Sequence, residues 1–374
     1  MREEGRLALA QFATLLTAYL IGRSTLIMPV EIARQDGWLA ILLGGLCAAG
    51  VFLLWLALGL RFQGLSPVDY TRRVLGDFLG IPVVVLYLWF FLHVGAGVTR
   101  NFGELYATAI MPKTPIVVFI GTLAFLTALT VRSGLEVISR LAELLLPWLV
   151  LSIVGLNILT FATPGLMHWE YLEPILGSGW PNVLRGTLLS FIFPYGEAVV
   201  FLIILPFLTQ PDRTRPYALG SLGFVTVLLA LTHLRNLAVL GPVEIARLNL
   251  PSLAAIQLIN LGEFLQRLDA LAVFIWTFGT FLKAAVLQYT VCLGSAELLG
   301  LKDYRPLAFP VTLLMTSLAV IIYENFAQMR SFYLTIYPFY ALPFTLLLPA
   351  LTYLAAAVRD LRAEPDRGKK NARE

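Results

Sequence analysis

The sequence predicts an all-α polytopic membrane protein with ten transmembrane helices. Of its 374 residues, 58% are hydrophobic and 13% are charged, and the mean hydropathy is +0.80. This balance is far from that of a soluble domain. Apolar runs of roughly 20 residues, the length of helix that crosses about 30 Å of hydrocarbon, recur along the whole chain. Short connectors rich in glycine, proline, serine and aspartate separate them.

The predicted spans leave no room for a separate soluble domain. In chain order they cover residues 7–30, 39–60, 81–108, 115–131, 138–162, 185–208, 216–239, 268–297, 307–325 and 332–357. The first residues, MREEGRLALAQF, carry acidic side chains and no small-residue cleavage site, which predicts an uncleaved first helix. One longer connection, 240–267, contains a short amphipathic helix opened by Pro251, which is either a lid over a cavity or plain surface packing.

The distribution of lysine and arginine predicts the orientation. Most of the 27 basic residues lie at the N-terminus, in the even-numbered loops and in the C-terminal tail. The odd-numbered loops hold few, namely Arg34, Lys113, Arg185, Arg247, Arg267 and Arg330. By the positive-inside rule both termini are cytoplasmic, and an even number of spans agrees with this. The net charge of +4 is therefore explained by membrane orientation and does not indicate nucleic-acid binding.

The sixth span contains an interruption and a carboxylate. Its sequence, SFIFPYGEAVVFLIIL, runs from Ser190 to Leu205. Pro194 removes a backbone donor and Gly196 permits unusual dihedral angles, so an undisturbed helix is not expected there. Glu197 lies beside the break. Broken backbone within hydrocarbon normally faces a cavity, because unpaired amides and carbonyls are costly in lipid.

The first span is the second interrupted segment. Gly22, Arg23, Ser24 and Thr25 lie at its middle, and Pro29 follows. Two interrupted segments, each opening a set of five helices, indicate a repeat-built transporter in which the second repeat is inverted. The alternative is that glycine and proline kink membrane helices without any function. The predicted division is a first repeat over 1–162, an extracytoplasmic connector over 163–184, an inverted second repeat over 185–357 and a basic cytoplasmic tail over 358–374.

The two breaks predict a binding site for a molecule that carries both charges. A half-helix N-terminus suits an anionic group, and a half-helix C-terminus suits a cation. Amides of the first break are expected to bind a carboxylate, and carbonyls of the second, with Glu197, an ammonium group. The residues concerned are Gly22, Ser24, Thr25, Leu26, Phe193, Tyr195, Gly196 and Glu197. For Ser24 and Thr25 the alternative is a hydrogen bond to the preceding turn.

Ionisable residues within spans are candidates for function, because burying them is costly. Arg100 and Glu104 are four residues apart and are expected to pair on one helix face. Asp269 lies near one end of the eighth span, and Lys283 lies roughly 21 Å deeper at 1.5 Å per residue. Lys283 therefore needs an acceptor. Arg23 is either a carboxylate clamp or a partner for Glu197 or Glu31, and the sequence does not choose among these.

Other classes of function find no support in the sequence. The two cysteines, Cys47 and Cys292, lie inside apolar runs and form neither a disulfide framework nor a metal-binding spacing. The three histidines are isolated. We find no nucleophile elbow, no phosphate-binding glycine loop and no acid–base pair. The sequence therefore predicts a protein that is not an enzyme and uses no metal or cofactor.

Three segments resemble the GerAB-type spore germination receptor subunits, which belong to the amino acid/polyamine/organocation transporter superfamily. They are LIMPVEIARQDGWLAILLGG from the end of the first span into the second, FPYGEAVVFLIILP in the sixth, and QRLDALAVFIWTFGTFLK at the start of the eighth. The similarity extends from about residue 7 to residue 357. It implies a LeuT-like fold with two inverted five-helix repeats, a germinant site at their interface, partner subunits of the A and C types, and the inner spore membrane as location.

Two functions follow as hypotheses. The first is a receptor subunit in which binding of a small germinant, an amino acid, shifts the packing of the repeats and partner subunits transmit the change. The second is a secondary permease for amino acids or polyamines that works by alternating access. Members of the superfamily can use a coupling cation beside the first and eighth helices. Lys283 is accordingly a built-in cation at that place, a group that binds and releases a proton, or a lysine that extends to the inner headgroups.

Overall fold

The computed structural model describes residues 5–25, 27–259 and 268–362, and most of them are helical. The α-helices, numbered in chain order, are α1 Leu9–Ile21, α2 Gly37–Arg61, α3 Pro67–Leu105, α4 Ile116–Arg132, α5 Leu135–Ala162, α6 Trp180–Ser190, α7 Thr214–Arg247, α8 Pro251–Gln257, α9 Asp269–Leu298, α10 Ala308–Ile321, α11 Phe326–Thr335, α12 Tyr337–Leu342 and α13 Leu348–Val358. The polytopic all-α prediction is confirmed.

Seven helical segments of the described residues are long and apolar enough to cross a membrane. An eighth is added if α10 and α11, which are bent by 99° at a short break, form one span. The helices α1 and α4 are apolar but shorter. The protein is an integral membrane protein with this set of helices, and the count of ten crossings stays a prediction.

The first predicted span is interrupted where its sequence indicates. Helix α1 ends at Ile21 because Gly22 leaves helical geometry, with φ 15° and ψ −120°. Residues 22–25 form a turn, and helical structure resumes only as a 3₁₀ helix over Glu31–Asp36. The first break is therefore wider than a kink, and no second half-helix begins directly at residue 22. Leu26 lies outside the described residues.

The sixth predicted span is also broken. After α6, a π-helical turn covers Phe191–Tyr195, and Phe193 within it is extended, with φ −127° and ψ 121°. A 3₁₀ helix then covers Gly196–Ile203. The expectation that Gly196 uses unusual dihedral angles is wrong, because its φ of −61° and ψ of −31° are ordinary helical values. Glycine is needed for space instead, since a Cβ would lie 2.9 Å from Thr345 Cγ2.

Two other helices extend beyond their predicted spans by bending at a glycine. Helix α3 turns at Gly76, where φ is 75°, and α7 turns at Gly241, where φ is 74°. Residues with a Cβ rarely adopt these positive φ values, so glycine allows each turn. The Ser66 hydroxyl accepts a hydrogen bond from the Asp69 amide at 3.1 Å and caps the start of α3. The hydropathy pattern located the apolar part of each helix and missed its polar extension.

Helix α1 lies at the centre of the protein and packs against α5, α7 and α9. Its contact with α9 is a close approach of two backbones, because a Cβ on Gly279 would lie 2.8 Å from Gly22 Cα. Nearly every residue at the C-terminal half of α1 is buried. The break after α1 is thereby held against α9, near Lys283. The division into two inverted repeats stays a prediction, and most of the predicted basic tail lies outside the described residues.

Candidate ligand-binding site

The centre of the site is the carboxylate of Glu197. It lies in the 3₁₀ helix that follows the break in the sixth span, and its side chain is 1% exposed. A carboxylate removed from water is costly unless cations and hydrogen-bond donors compensate it. The fold supplies both from elements distant in sequence. Glu197 is thus the point where α1, α9 and α12 meet the broken sixth span.

Lys283 of α9 provides the closest cation. Its Nζ lies 2.5 Å from Glu197 Oε2, and its side chain is completely buried. The same Nζ lies 4.5 Å from the centre of the Tyr19 ring and 5.2 Å from that of Phe193. Aromatic faces attract a cation in this range. The acceptor that the depth of Lys283 required is therefore Glu197, and the side chain ends inside the protein.

Two tyrosines complete the environment of Glu197. The Tyr337 hydroxyl donates a hydrogen bond to Glu197 Oε1 at 2.6 Å. The Tyr19 hydroxyl donates to the main-chain carbonyl of Glu197 at 3.1 Å. Hydrogen bonds to an ionised group are stronger than neutral ones. Sequence reasoning missed both tyrosines, and a tyrosine within an apolar span was the only signal that pointed to them.

Arg23 is the second cation near Glu197. Its Nη2 lies 3.7 Å from Glu197 Oε1, and the residue is 3% exposed. Its Cζ lies 4.4 Å from the centre of the Phe193 ring and 4.5 Å from that of Tyr333. We call Arg23, Glu197, Lys283 and Tyr337 the Glu197 cluster. Among the described residues, two cations of this cluster therefore face one carboxylate.

The predicted ligand-binding residues at the first break lie beside this cluster, but their polar groups are largely occupied. The Gly22 amide donates to Ala18 O at 3.1 Å and the Ser24 amide to Ile21 O at 2.9 Å. The Ser24 hydroxyl donates to Leu20 O at 2.8 Å, which is the back-bonding alternative. Thr25 differs, since its hydroxyl is buried without a hydrogen-bond partner in the described part of the chain.

The residues predicted at the second break have separate roles. Phe193 contacts both cations of the Glu197 cluster through its ring. The Tyr195 hydroxyl is buried, and Gly196 packs tightly against Thr345. The structure thus brings Phe193 and Glu197 to the first break, whereas Gly196 serves helix packing. Binding of an ammonium group by the carbonyls of this segment stays a prediction.

Two of the predicted intramembrane charges do not join the cluster. Arg100 pairs with Glu104, with its Nη2 2.7 Å from Oε1, as the spacing predicts. Its Nη1 also donates to the carbonyls of Ala319 and Val320 at the end of α10. Asp269 is exposed and accepts a hydrogen bond from the Ala270 amide at 3.0 Å at the start of α9. Arg100 therefore supports the bend after α10.

A second network of buried polar side chains links α8 to the first break. Arg235, 2% exposed, donates to the side-chain carbonyl of Asn236. Asn236 in turn donates to the Ser252 hydroxyl at 2.7 Å, and Ser252 donates to Thr25 O at 2.7 Å. The amphipathic helix α8 is therefore hydrogen-bonded to the turn after α1. The rest of the predicted amphipathic segment, residues 260–267, lies outside the described residues.

A narrow cleft with an accessible volume of about 40 Å³, partly open to solvent, leads to Arg23. The polar residues of its lining include Arg23, Glu31, Asn101 and Arg330. The apolar residues of the lining include Ile27, Met28, Phe193, Phe326, Met329 and Leu334.

Two residues that line the cleft, Arg330 and Glu31, form an ion pair. Arg330 Nη2 lies 3.1 Å from Glu31 Oε1 and donates to Ala246 O at 2.7 Å. These contacts join α11 to the 3₁₀ helix after α1 and to the end of α7. Within the described ranges, no group of three His, Cys, Asp or Glu side chains is arranged to hold a metal ion.

Comparison of the sequence with known families identifies relatives over almost the whole chain. A family profile with the description "Spore germination protein" matches residues 6–331. Spore germination protein KB from Bacillus subtilis (strain 168) is 31% identical over 372 residues, which cover 98% of this chain and 99% of the relative.

Comparison of the structure with solved structures identifies transporters. MhsT in complex with L-phenylalanine has a TM-score of 0.66 and 13% identity, covering 96% of this chain and 89% of that chain. Mhp1, a nucleobase-cation-symport-1 family transporter in a closed conformation with bromovinylhydantoin bound, has a TM-score of 0.63 and 12% identity. The match covers 94% of this chain and 78% of Mhp1. At these identities the likeness shows the fold, which is that of the LeuT-like transporters.

Proposed function

The chain belongs to the spore germination protein family, and from this premise we propose that it is the membrane subunit of a spore germinant receptor. In this proposal it binds a small germinant, an amino acid, within the membrane at the Glu197 cluster. Binding triggers germination through partner subunits of the A and C types. The proposal includes no catalytic step and no cofactor.

The observation that carries the proposal is the Glu197 cluster itself. Buried charges within membrane spans are costly and are commonly found at ligand and ion pathways. Here they lie where both interrupted spans meet, and a narrow cleft leads to one of them, Arg23. A helix bundle that only needed to be stable would gain more from apolar residues at these positions.

The proposed signal is a change in packing. A ligand shifts an equilibrium between two arrangements only if it binds them with different free energies. Contacts across the cleft, such as Arg330 with Glu31, join segments that would separate when the cleft opens. The first repeat over 1–162 and the inverted second repeat over 185–357 are the two bodies in this proposal, and each contributes one break to the cluster.

The proposed location is the inner spore membrane with both termini in the cytoplasm. The excess of lysine and arginine in the N-terminal segment, the even-numbered loops and the tail supports this orientation. In that orientation the cleft opens on the outer side, where a germinant arrives.

The test combines binding and uptake on the same preparation of the purified chain. Thermal-shift binding of twenty L-amino acids is measured together with uptake of the radiolabelled compounds into proteoliposomes. Binding of an amino acid without accumulation supports a receptor that needs partner subunits. Gly196→Leu would abolish that binding, because the larger side chain collides with Thr345 and displaces the segment that carries Glu197. Absence of binding by every amino acid contradicts the proposal.

A second candidate function is a secondary amino acid or polyamine permease. The observation in its favour is the fold, which is shared with the transporters MhsT and Mhp1. In this case Lys283 would stand in the place of a coupling cation or carry a proton. Saturable accumulation driven by an ion gradient in the same proteoliposomes would establish the permease and exclude a receptor that only senses.

A further inference from the structure

The N-terminal segment is joined to the end of the sixth span through the main chain. Leu7, which precedes α1, and Leu208, which follows the last 3₁₀ turn of the sixth span, form an isolated parallel β-bridge. The Leu7 amide donates to Phe207 O at 2.9 Å, and the Thr209 amide donates to Leu7 O at 3.0 Å. Leu7 and Leu208 are 0% and 3% exposed. The start of one interrupted span is therefore paired with the end of the other.

Aromatic contacts continue this junction towards the Glu197 cluster. The Phe201 ring lies edge-to-face with Phe12 and Tyr19, at distances of 5.7 and 5.3 Å between ring centres. The Tyr19 hydroxyl in turn donates to Glu197 O. Phe12, Leu16 and Tyr19 are spaced by four and three residues, so they lie on one face of α1, and all three are buried. That face packs against the second part of the sixth span between the β-bridge and Glu197.

The junction and the cleft lie at opposite ends of α1. The β-bridge precedes the helix, whereas the cleft is lined by residues beyond its C-terminal end, among them Met28 and Pro29. The 13 residues of α1 extend about 20 Å at 1.5 Å per residue. Between the two ends, seven successive residues of α1, Leu15–Ile21, are buried, and so is every residue of Gly196–Ile203. The junction thus closes the Glu197 cluster on the side where α1 begins.

Access to the cluster from that side requires that α1 separate from the sixth span. Separation breaks both main-chain hydrogen bonds of the β-bridge and brings the buried side chains of Leu7 and Leu208 into water. Unpaired main-chain groups and exposed apolar side chains are both unfavourable. The β-bridge therefore favours the closed arrangement on this side.

We propose that the pairing of Leu7 with Leu208 is a gate that keeps the Glu197 cluster closed on the side where α1 begins. With the gate closed, the two interrupted spans move as one body at this end. A permease that works by alternating access opens both sides in turn, so it would break this pairing in every cycle, whereas a receptor would not. The gate does not depend on the identity of the ligand, and only its assignment to the cytoplasmic side rests on the proposed function.

The variant Thr209→Pro weakens the gate at a single atom. Proline has no amide hydrogen, so the hydrogen bond to Leu7 O is lost. The preceding residue, Leu208, has φ −73° and ψ 140°, an extended conformation that a following proline favours. Thr209 is exposed, so its side chain contributes little to packing. Thr209→Ala removes the same side chain, keeps the amide and serves as the matched control.

The experiment measures the reactivity of a single thiol on the buried face of α1. The protein contains two cysteines, so Cys47→Ala and Cys292→Ala remove the natural thiols, and Leu16→Cys introduces the reporter at a fully buried position. The reagent is a water-soluble maleimide that does not cross membranes. It is applied to intact cells of the expression host and to inverted membrane vesicles, which present the outer and the cytoplasmic side of the full chain respectively.

Thr209→Pro is expected to raise the labelling rate of the Leu16→Cys thiol in inverted vesicles by about three- to tenfold, which corresponds to the loss of one hydrogen bond. The rate in intact cells is expected to stay the same, and Thr209→Ala is expected to label at the rate of the parent protein on both sides. Equal rates for Thr209→Pro and Thr209→Ala in both preparations overturn the inference. An equal increase from both sides also overturns it, because the change is then a general loosening of the fold.

Two further results separate the gate from the proposed function and from a failure to fold. An increase in intact cells alone supports the gate and contradicts the orientation given under the proposed function. If Thr209→Pro does not fold, residue-resolved hydrogen–deuterium exchange of the wild-type protein decides. The amides of Leu7 and Thr209 are expected to be protected to the same extent, because both hydrogen bonds break when the gate opens. Exchange of either amide at the rate of an unstructured peptide overturns the inference.

Discussion

Lys283 and Glu197 form a fully buried ion pair, with Nζ 2.5 Å from Oε2, that joins α9 to the break in the sixth span. The pair connects an element of continuous helix with a segment whose backbone is irregular. Arg23, in the turn after α1, lies nearest the other oxygen of the same carboxylate. The relative positions of the two broken spans therefore depend on electrostatic contacts as well as on packing.

Removal of Glu197 is expected to be more damaging than removal of Lys283. Lys283→Met leaves one carboxylate facing one cation, Arg23, whereas Glu197→Gln leaves two buried cations without a carboxylate. Breaking a buried pair commonly costs about 3–5 kcal/mol. Thermal denaturation in detergent should give midpoints in the order wild type, Lys283→Met, Glu197→Gln.

The double variant Glu197→Gln with Lys283→Met should denature at a higher temperature than Glu197→Gln alone, because one uncompensated cation is removed. Glu136→Gln is the matched control, since its pair with Arg140 is exposed and worth about 0.5 kcal/mol or less. A Glu197→Gln protein as stable as the wild type would show that the pair does not support the fold.

Tyr337→Phe should lower stability by removing one hydrogen bond to a buried carboxylate. The hydroxyl of Tyr337 lies 2.6 Å from Glu197 Oε1, and hydrogen bonds to charged groups contribute about 1.5–3 kcal/mol. The free energy of unfolding is measured with denaturant, and Tyr217→Phe, at an exposed tyrosine of α7, serves as control. Equal stability of the two variants would contradict the role given to Tyr337.

Gly279→Ala should separate α1 from α9. A Cβ at this position would lie 2.8 Å from Gly22 Cα, and a backbone atom cannot move aside as a flexible side chain can. Overpacking of this kind costs about 1–3 kcal/mol. The denaturation midpoint is expected to fall. Gly155→Ala in α5 meets no atom within 4 Å and should be neutral or slightly stabilising. Similar midpoints for the two variants would show that the approach of α1 to α9 is not required.

Arg330→Gln should loosen the helix that covers the cleft. The wild-type side chain joins α11 to Glu31 at 3.1 Å and to Ala246 O at 2.7 Å. Hydrogen–deuterium exchange is expected to rise in Phe326–Thr335, because local opening becomes easier when these contacts are lost. Arg247→Gln removes a pair with Glu244 that is mostly exposed and should leave the exchange rates as they are. Unchanged exchange in α11 after Arg330→Gln would contradict its bridging role.

Much of the architecture could be predicted from the residues alone. The apolar runs located the helices because the length and composition needed to cross hydrocarbon are local properties of the chain. The breaks after Ile21 and at Phe193 were predicted for a similar reason, since glycine and proline act on their own backbone. The depth of Lys283 and the pairing of Arg100 with Glu104 follow from the helical repeat.

Other features depend on residues that are far apart in sequence. Three such features result from how the helices pack: Lys283 faces Glu197, Tyr337 and Tyr19 complete the environment of Glu197, and Gly196 is small because of Thr345. The expected free amides at Gly22 and Ser24 illustrate the same limit. A break in a helix can be recognised in a sequence, but the partners that satisfy its polar groups are set by tertiary contacts, because hydrogen bonds and ion pairs act over only a few ångströms.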